Sequence, residues 1–169
     1  MGDAAGASIE RTLVLLKPDA LTRGLVGRII QRFEDALLKV VGAKMVWMDA
    51  DFARQHYFDL EERLGADVYN ITASFMQQAP VVALVLEGVD AIKTVRKIIG
   101  PTYPNEALPG TVRGDFAHQA KAYSIANDKV VANLVHASGN PEEAKQEVEL
   151  WFRPEELFDY RTLAEKYAF

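Results

Sequence analysis

The sequence contains no cysteine. Disulfides, thiolate metal sites and cysteine nucleophiles are therefore all excluded. Histidine is nearly as scarce. Only His56, His118 and His136 occur, too scattered along the chain to suggest a zinc site. Long apolar runs are missing as well: Val81 to Leu86, the longest, and Leu13 to Leu16 are both far too short to span a bilayer. Met1 to Glu10 lacks the apolar core of a signal peptide. Gly6 occupies the place where a myristoylation motif wants Ser or Thr. Positive charge is not in excess, since 19 Lys+Arg face 24 Asp+Glu for a net charge of −5. That balance offers no electrostatic footprint for nucleic acid, although local basic pockets stay open to it. These absences point to a soluble cytoplasmic chain without membrane or nucleic-acid partners. With 169 residues, 49% of them hydrophobic, one domain is the natural count. Residues 1–9 are expected to form a flexible N-terminal extension and residues 10–169 the single domain.

What is present centres on residues 130–152. Val130 to Val135 reads as a short strand, with His136 at its end. Ser138-Gly139 breaks the chain, and a helix follows with strong start signals: Asn140 as N-cap, Pro141 at the first position, then Glu142 and Glu143. Ala144, Val148, Trp151 and Phe152 share one helix face. Glu147 sits beside that face, within reach of the strand end. A neutral imidazole attacks through one nitrogen while an acceptor holds the other as N–H, so Glu147 suits a nucleophilic His136. The alternative is that His136 merely ends a strand.

Before that region, Arg11 to Leu16 is β-rich and ends at Lys17-Pro18-Asp19. Leu25, Ile29, Phe33 and Leu37 predict a helix closing at Gly42. Lys44 to Asp49 alternates as a strand, and two helical pieces follow, one from Asp51 to Gly65 and one over Val68 to Gln77. Val81 to Leu86 reads as a central strand, and Asp90 as the cap of a helix burying Ile92, Val95 and Ile99. Gly100 to Gly114 is a long Pro/Gly loop of the kind that is usually functional, and Asp115 to Lys129 is polar and irregular. The order of elements suits an α+β, ferredoxin-like fold: a four-stranded antiparallel sheet with helices packed on one face.

Lys17, Arg96 and Arg113, with Thr102 and Asn133, would suit a polyphosphate if the fold brings them together. Each alone is more often a solvated surface residue. Gly88 to Thr94 superficially resembles a Walker loop but lacks the glycine before Lys93, and reads better as an ordinary helix start.

Several longer pieces are distinctive: Glu10-Arg11-Thr12 with Lys17-Pro18-Asp19, Arg23-Gly24-Leu25-Val26-Gly27, His56-Tyr57, Pro109-Gly110-Thr111-Val112-Arg113-Gly114-Asp115-Phe116, Asn133-Leu134-Val135-His136-Ala137-Ser138, and Glu147 with Leu150-Trp151-Phe152. From Glu10 onward the chain resembles nucleoside diphosphate kinases along nearly its whole length. The resemblance implies a ping-pong phosphoryl transfer through a phosphohistidine on His136, from nucleoside triphosphates to nucleoside diphosphates. It makes Lys17 and Tyr57 neighbours of the transferred phosphate and the ribose. Arg96, Thr102 and Arg113 become phosphate ligands, Asn133 a ribose contact, and Ser138 and Glu147 partners of the nucleophile. It further implies Mg²⁺ bound mainly through the phosphates, with no metal ligand assigned to the protein, and a homo-oligomer, hexamer or tetramer.

Two segments depart from the family pattern. The region after Arg63 is longer and lacks the usual base-stacking phenylalanine, and the link between Phe116 and Asn133 is extended. Tyr69, then Tyr123, are the replacement candidates for stacking on the base. An alternative of another class is a ferredoxin-like nucleotide-binding regulatory module without catalysis, which would be expected to lose His136, Lys17 or Arg113; all three are present.

Overall fold

The computed structural model describes residues 8–163 and 165–168; most of the expected N-terminal extension lies outside them. The elements run β1 (Ile9–Leu16), α1 (Pro18–Thr22), α2 (Val26–Asp35), β2 (Lys39–Val46), α3 (Ala50–His56), α4 (Leu60–Leu64), α5 (Ala66–Met76), β3 (Val81–Val89), α6 (Ala91–Ile99), α7 (Val112–Phe116), α8 (Lys121–Ala126), β4 (Val135–Ala137), α9 (Pro141–Trp151) and α10 (Glu165–Ala168). The strands form one sheet in the order β2-β3-β1-β4, and every neighbouring pair is antiparallel. This is the expected ferredoxin-like α+β architecture.

The expectation of helices on one face is corrected. Val14 and Leu16 of β1 pack with Ile29 and Phe33 of α2 and Val95 and Ile99 of α6. Leu13 and Leu15 point the other way, into a second cluster with Ala53 of α3, Ala73 and Met76 of α5, and Trp151 of α9. All four β1 residues from Leu13 to Leu16 are fully buried. Both faces of the central strands are covered, which is why Leu13 to Leu16 and Val81 to Leu86 are continuous apolar runs rather than alternating ones.

Gly42 does not close a helix. α2 stops earlier, where Leu37 takes φ 63°. The Leu38 amide donates to the Phe33 carbonyl and the Leu37 amide to that of Glu34, a Schellman end with leucine in the usual glycine place. Leu37 is consequently exposed rather than on the buried helix face. Gly42 instead lies inside β2 beside a register irregularity. A Cβ there would come within 2.8 Å of Leu157 and 3.1 Å of Phe152, so glycine admits the C-terminal segment against the strand. Asp90, expected to cap α6, has φ 48° and no side-chain cap bond; Glu10 takes that role by accepting from the Ile92 amide at 3.2 Å. The loop after Gly100 contains a 3-10 turn at Pro104–Glu106 and then α7. The segment read as irregular contains α8.

Leu157 and its neighbours are held along β2. The Phe158 amide donates to the Val41 carbonyl at 2.8 Å, and the Tyr160 hydroxyl to that of Val40 at 2.7 Å. Buried Lys39 completes the attachment through Glu87 at 2.8 Å and Glu165 at 2.9 Å, and through the Tyr160 carbonyl at 2.7 Å. Removing one partner of a buried ion network strands the other charges. Lys39→Met is therefore expected to lower stability by about 3 kcal/mol, read as a lower urea midpoint. An unchanged midpoint would show that the network adds nothing net.

Candidate active site

The strands bring the sequence-predicted residues to one end of β1 and β4. His136 pairs with Leu15 in the middle of β4, so the expectation that it follows a strand ending at Val135 is corrected. Val130 to Asn133 is not strand. Leu134 turns the chain with φ 70°, and only Val135–Ala137 pairs with β1. The reason is a long-range clamp: the Lys17 amide donates to the Leu134 carbonyl at 2.8 Å, and the Leu134 amide to Asp19 Oδ2 at 3.0 Å. Both polar backbone groups of Leu134 are taken outside the ladder.

α9 begins as expected, with Asn140 accepting from the Glu143 amide at 2.9 Å, and it delivers Glu147 to β4. His136 Nε2 lies 2.7 Å from Glu147 Oε1. Glu147 Oε2 accepts from the Ser138 hydroxyl at 2.6 Å, and Ser138 Oγ accepts from the Leu13 amide at 3.3 Å. Burial pushes the Glu147 carboxyl up, but the hydrogen bonds of His136 and Ser138 outweigh it and hold the group below its usual range. Glu147 is therefore an anion. It fixes His136 with the proton on Nε2, leaving the Nδ1 lone pair, which has no hydrogen-bond partner among the described residues, free to react.

The histidines are not as scattered as the sequence suggests. His56, at the end of α3, sits with its ring centroid 4.9 Å from that of His136 and nearly perpendicular to it. Trp151 Nε1–H donates to His56 Nδ1 at 3.3 Å, which places the His56 proton on Nε2. His56, His136 and Glu147 offer ligand atoms within 4.8 Å of one another, yet His56 Nδ1 and His136 Nε2 are already engaged. Burial drives the His56 pKa down to about 3, with the His136 ring adding to it, so His56 is a neutral wall behind His136. Tyr57 packs edge-on against His56 at 4.6 Å. Burial, with Glu147, raises its phenol far above the usual range; it stays a neutral hydroxyl.

The cations converge from the other side. Lys17 Nζ donates to Asn133 Oδ1 at 2.6 Å, and Asn133 Nδ2 donates to the Thr102 carbonyl at 2.8 Å. Arg113 on α7 is buried and spends its guanidinium on backbone: Nε to Asn133 O at 3.1 Å, Nη1 to Gly100 O at 2.8 Å and Nη2 to Val135 O at 2.5 Å. Thr111 caps α7 by accepting from the Gly114 amide. Gly114 itself is required, because a Cβ there would meet the Leu108 carbonyl oxygen at 2.1 Å. Exposed Arg96 reaches the Ala137 carbonyl at 3.4 Å. Burial brings Lys17 down to about pKa 8, Asp19 opposing and Arg113 adding. It brings Arg113 down to about 10, with Arg96 adding and Asp19 opposing. Arg113 and Arg96 thus hold the carbonyls on either side of His136, those of Val135 and Ala137, while Lys17 joins Asn133; cations gathered in this way suit a highly charged anion.

Lys17, Tyr57, Arg96, Thr102, Arg113, Asn133, His136, Ser138 and Glu147 thus belong to one connected site. The sequence does not mark His56, Trp151 and Asp19 individually as site residues; their signal is that all three lie within the distinctive motifs. Tyr69 is corrected as a stacking candidate, because it is buried with the Arg54 guanidinium 4.1 Å from its ring centroid. Tyr123 is exposed on α8. An open cleft between α5 and residues 128–132 is lined by Asn70, Ile71, Phe75, Gln78 and Val130, and the Phe75 ring lies 5.6 Å from Lys17 Nζ.

A family model for nucleoside diphosphate kinase matches residues 10–157. The nucleoside diphosphate kinase of Pyrococcus furiosus is 44% identical over 152 residues, covering 90% of this chain and 88% of that protein. Nucleoside diphosphate kinase A of Rattus norvegicus is 40% identical, with 96% of this chain and 99% of that one covered. Among solved structures, a transition-state mimic of the Borrelia burgdorferi enzyme with bound vanadate and ADP superimposes with a TM-score of 0.91 at 38% identity, covering 95% and 96% of the two chains. The Halobacterium salinarum enzyme in complex with CDP gives 0.83 at 35% identity, covering 96% and 99%. The fold, the shared motifs and these likenesses agree: the chain belongs to the nucleoside diphosphate kinase family.

Proposed function

We propose that His136 carries a phosphoryl group between nucleotides in a ping-pong cycle. The observation that supports this most is the 2.7 Å contact of His136 Nε2 with ionised Glu147, which leaves Nδ1 as the reactive atom. In the first half-reaction Nδ1 forms a bond to the γ-phosphorus of a nucleoside triphosphate. The bond to the β–γ bridging oxygen breaks, and the nucleoside diphosphate leaves with the electron pair. In the second, a terminal oxygen of another diphosphate attacks the phosphorus and the P–N bond breaks, restoring the imidazole. Charge on the moving group is met by Lys17, Arg96 and Arg113, and its stabilisation by fixed cations is the main catalytic contribution expected for phosphoryl transfer.

Thr102 and Tyr57 add hydroxyls around the phosphates, and Asn133 meets the ribose. Mg²⁺ fits this site as a passenger on the nucleotide: Glu147, the carboxylate at the nucleophile, gives both oxygens to protein partners, so the phosphates supply the ligands. The metal would neutralise phosphate charge. Every assigned ligand touches phosphate or ribose, so purine and pyrimidine nucleotides are expected to serve nearly alike. A homo-oligomer in the cytoplasm, with residues 10–169 as one domain, completes the reading; among the described residues no helix is long and apolar enough to cross a membrane.

Incubation with γ-labelled ATP, removal of nucleotide, and addition of an unlabelled diphosphate of another base tests the cycle. Label should move to the protein and then to the new triphosphate. A protein that binds ATP but takes up no label would instead favour the non-catalytic module. Glu147→Gln should slow protein labelling by one to two decades, since a hydrogen bond to a charged group is worth about 1.5–3 kcal/mol. An unchanged labelling rate would remove Glu147 from the mechanism.

A further inference from the structure

We propose that Asp19 is a positioning residue for the phosphate-binding cations, its buried carboxylate holding the left-handed turn at Leu134 while its charge keeps Lys17 protonated. This rests on the reading of Lys17 and Arg113 as phosphate ligands.

The geometry has two parts. Leu134 is a buried, non-glycine residue at φ 70°, a conformation that side chains enter reluctantly and that surrounding structure must enforce. Its amide is held by Asp19 Oδ2 at 3.0 Å and its carbonyl by the Lys17 amide at 2.8 Å. The turn therefore hangs from the two ends of the Lys17-Pro18-Asp19 segment. Its neighbours are working residues: Asn133, which binds Lys17 Nζ, and Val135, whose carbonyl takes an Arg113 N–H. His136 follows directly.

The second part is the oxygen left over. Asp19 Oδ1 is buried without a hydrogen-bond partner among the described residues. Burying a charged oxygen unpaired is costly unless nearby charge compensates it. Lys17 and Arg113 both feel Asp19 as a stabilising charge. Lys17 is faced by Asp19 from its own turn, by Arg113 of α7, by Asn133, and by Phe75 of α5. His56 of α3, which also feels Lys17, is neutral. Asp19 is thus the anion that opposes burial and Arg113 at the Lys17 ammonium. From two residues beyond Lys17, the Asp19 carboxylate reaches the Leu134 amide with one oxygen and keeps the other buried and unpartnered among the described residues.

The test is Asp19→Asn in the full-length protein. The amide oxygen still accepts from the Leu134 amide, so the turn persists while the charge is gone. Lys17 is titrated directly through its ¹³Cε NMR signal, identified by its absence in Lys17→Arg. The wild-type midpoint is expected near pH 8, and the variant midpoint lower by about one pH unit. The alkaline limb of kcat/KM for Mg-ATP should fall by the same interval, with the loss above neutrality appearing mainly in KM. A purely structural Asp19 would lower activity equally at all pH and leave the midpoint in place. If Asp19→Asn does not fold, Asp19→Ser, which keeps a short acceptor without charge, takes the same titration. An unmoved Lys17 midpoint overturns the proposal whatever the limb does. An alkaline limb that persists in Lys17→Ala faults the ligand reading of Lys17 instead.

Discussion

His136→Ala should abolish phosphoryl transfer, with kcat falling by about five to six decades, as expected when the only nucleophile of a covalent mechanism is removed. Nucleotide binding should be nearly intact, because the cations proposed to hold the phosphates are carried on other elements: Lys17 after β1, Arg96 on α6 and Arg113 on α7. The wild-type adduct should be acid-labile and base-stable, the signature of a phosphorus–nitrogen bond, and absent from the variant. Stability should change little. His136 is partly exposed on the strand, and its one hydrogen bond, to Glu147, can be replaced by water. A labelled-ATP exchange and an equilibrium nucleotide titration on the same preparation separate the two effects. Robust turnover by His136→Ala would sink the assignment of the nucleophile.

Much of this site is legible in the sequence. Residues 130–147 carry their own instructions: a β-rich run, a Ser-Gly break, and a helix start marked by Asn140 and Pro141. These are local signals, and local signals survive in sequence. Arg113 was legible only as part of a motif: its segment reads as a Pro/Gly loop, and the short helix α7 that carries it, capped by Thr111 and admitted by Gly114, emerges only in the structure. The length of β4 was not legible. Val130 to Val135 is as apolar as any strand. What denies pairing to most of it is a clamp from Lys17 and Asp19, more than 110 residues earlier, and no propensity records such a contact. His56 was missed for the same reason. It lies 80 positions before His136, and only the packing of α3 and α9 on one sheet face makes the two rings neighbours. Tyr69 shows the converse error: an aromatic in an unusual segment looked available, and tertiary packing under Arg54 took its face. Leu37 at the end of α2 marks a third limit, since a leucine in a left-handed C-terminal position has no sequence signature.

Arg113→Lys should lower kcat/KM by about three decades although the formal charge is kept. Arginine donors in phosphoryl-transfer sites are worth about 10³–10⁵ in rate, and here the guanidinium does more than supply charge. Its three nitrogens bind the carbonyls of Asn133, Gly100 and Val135, which lie in the turn before β4, in the loop after α6 and in β4 itself. One planar fork therefore ties the loop after α6 to the residues on either side of Leu134, and its remaining N–H groups are aimed by that attachment. A lysine ammonium is a compact point charge on a flexible stem, and it cannot serve three separated carbonyls and a phosphate together. Buried carbonyls left without donors cost about 1–3 kcal/mol each, so a lower melting temperature should accompany the kinetic loss. The two consequences can be separated, because excess nucleotide stabilises the folded protein by mass action. Melting at saturating ATP should recover part of the lost stability, whereas the rate of His136 labelling in a single turnover should stay low. If Arg113→Lys labels within tenfold of the wild-type rate, Arg113 contributes charge alone, and the ordering of the loop against β4 must come from Asn133 and its bond to the Thr102 carbonyl.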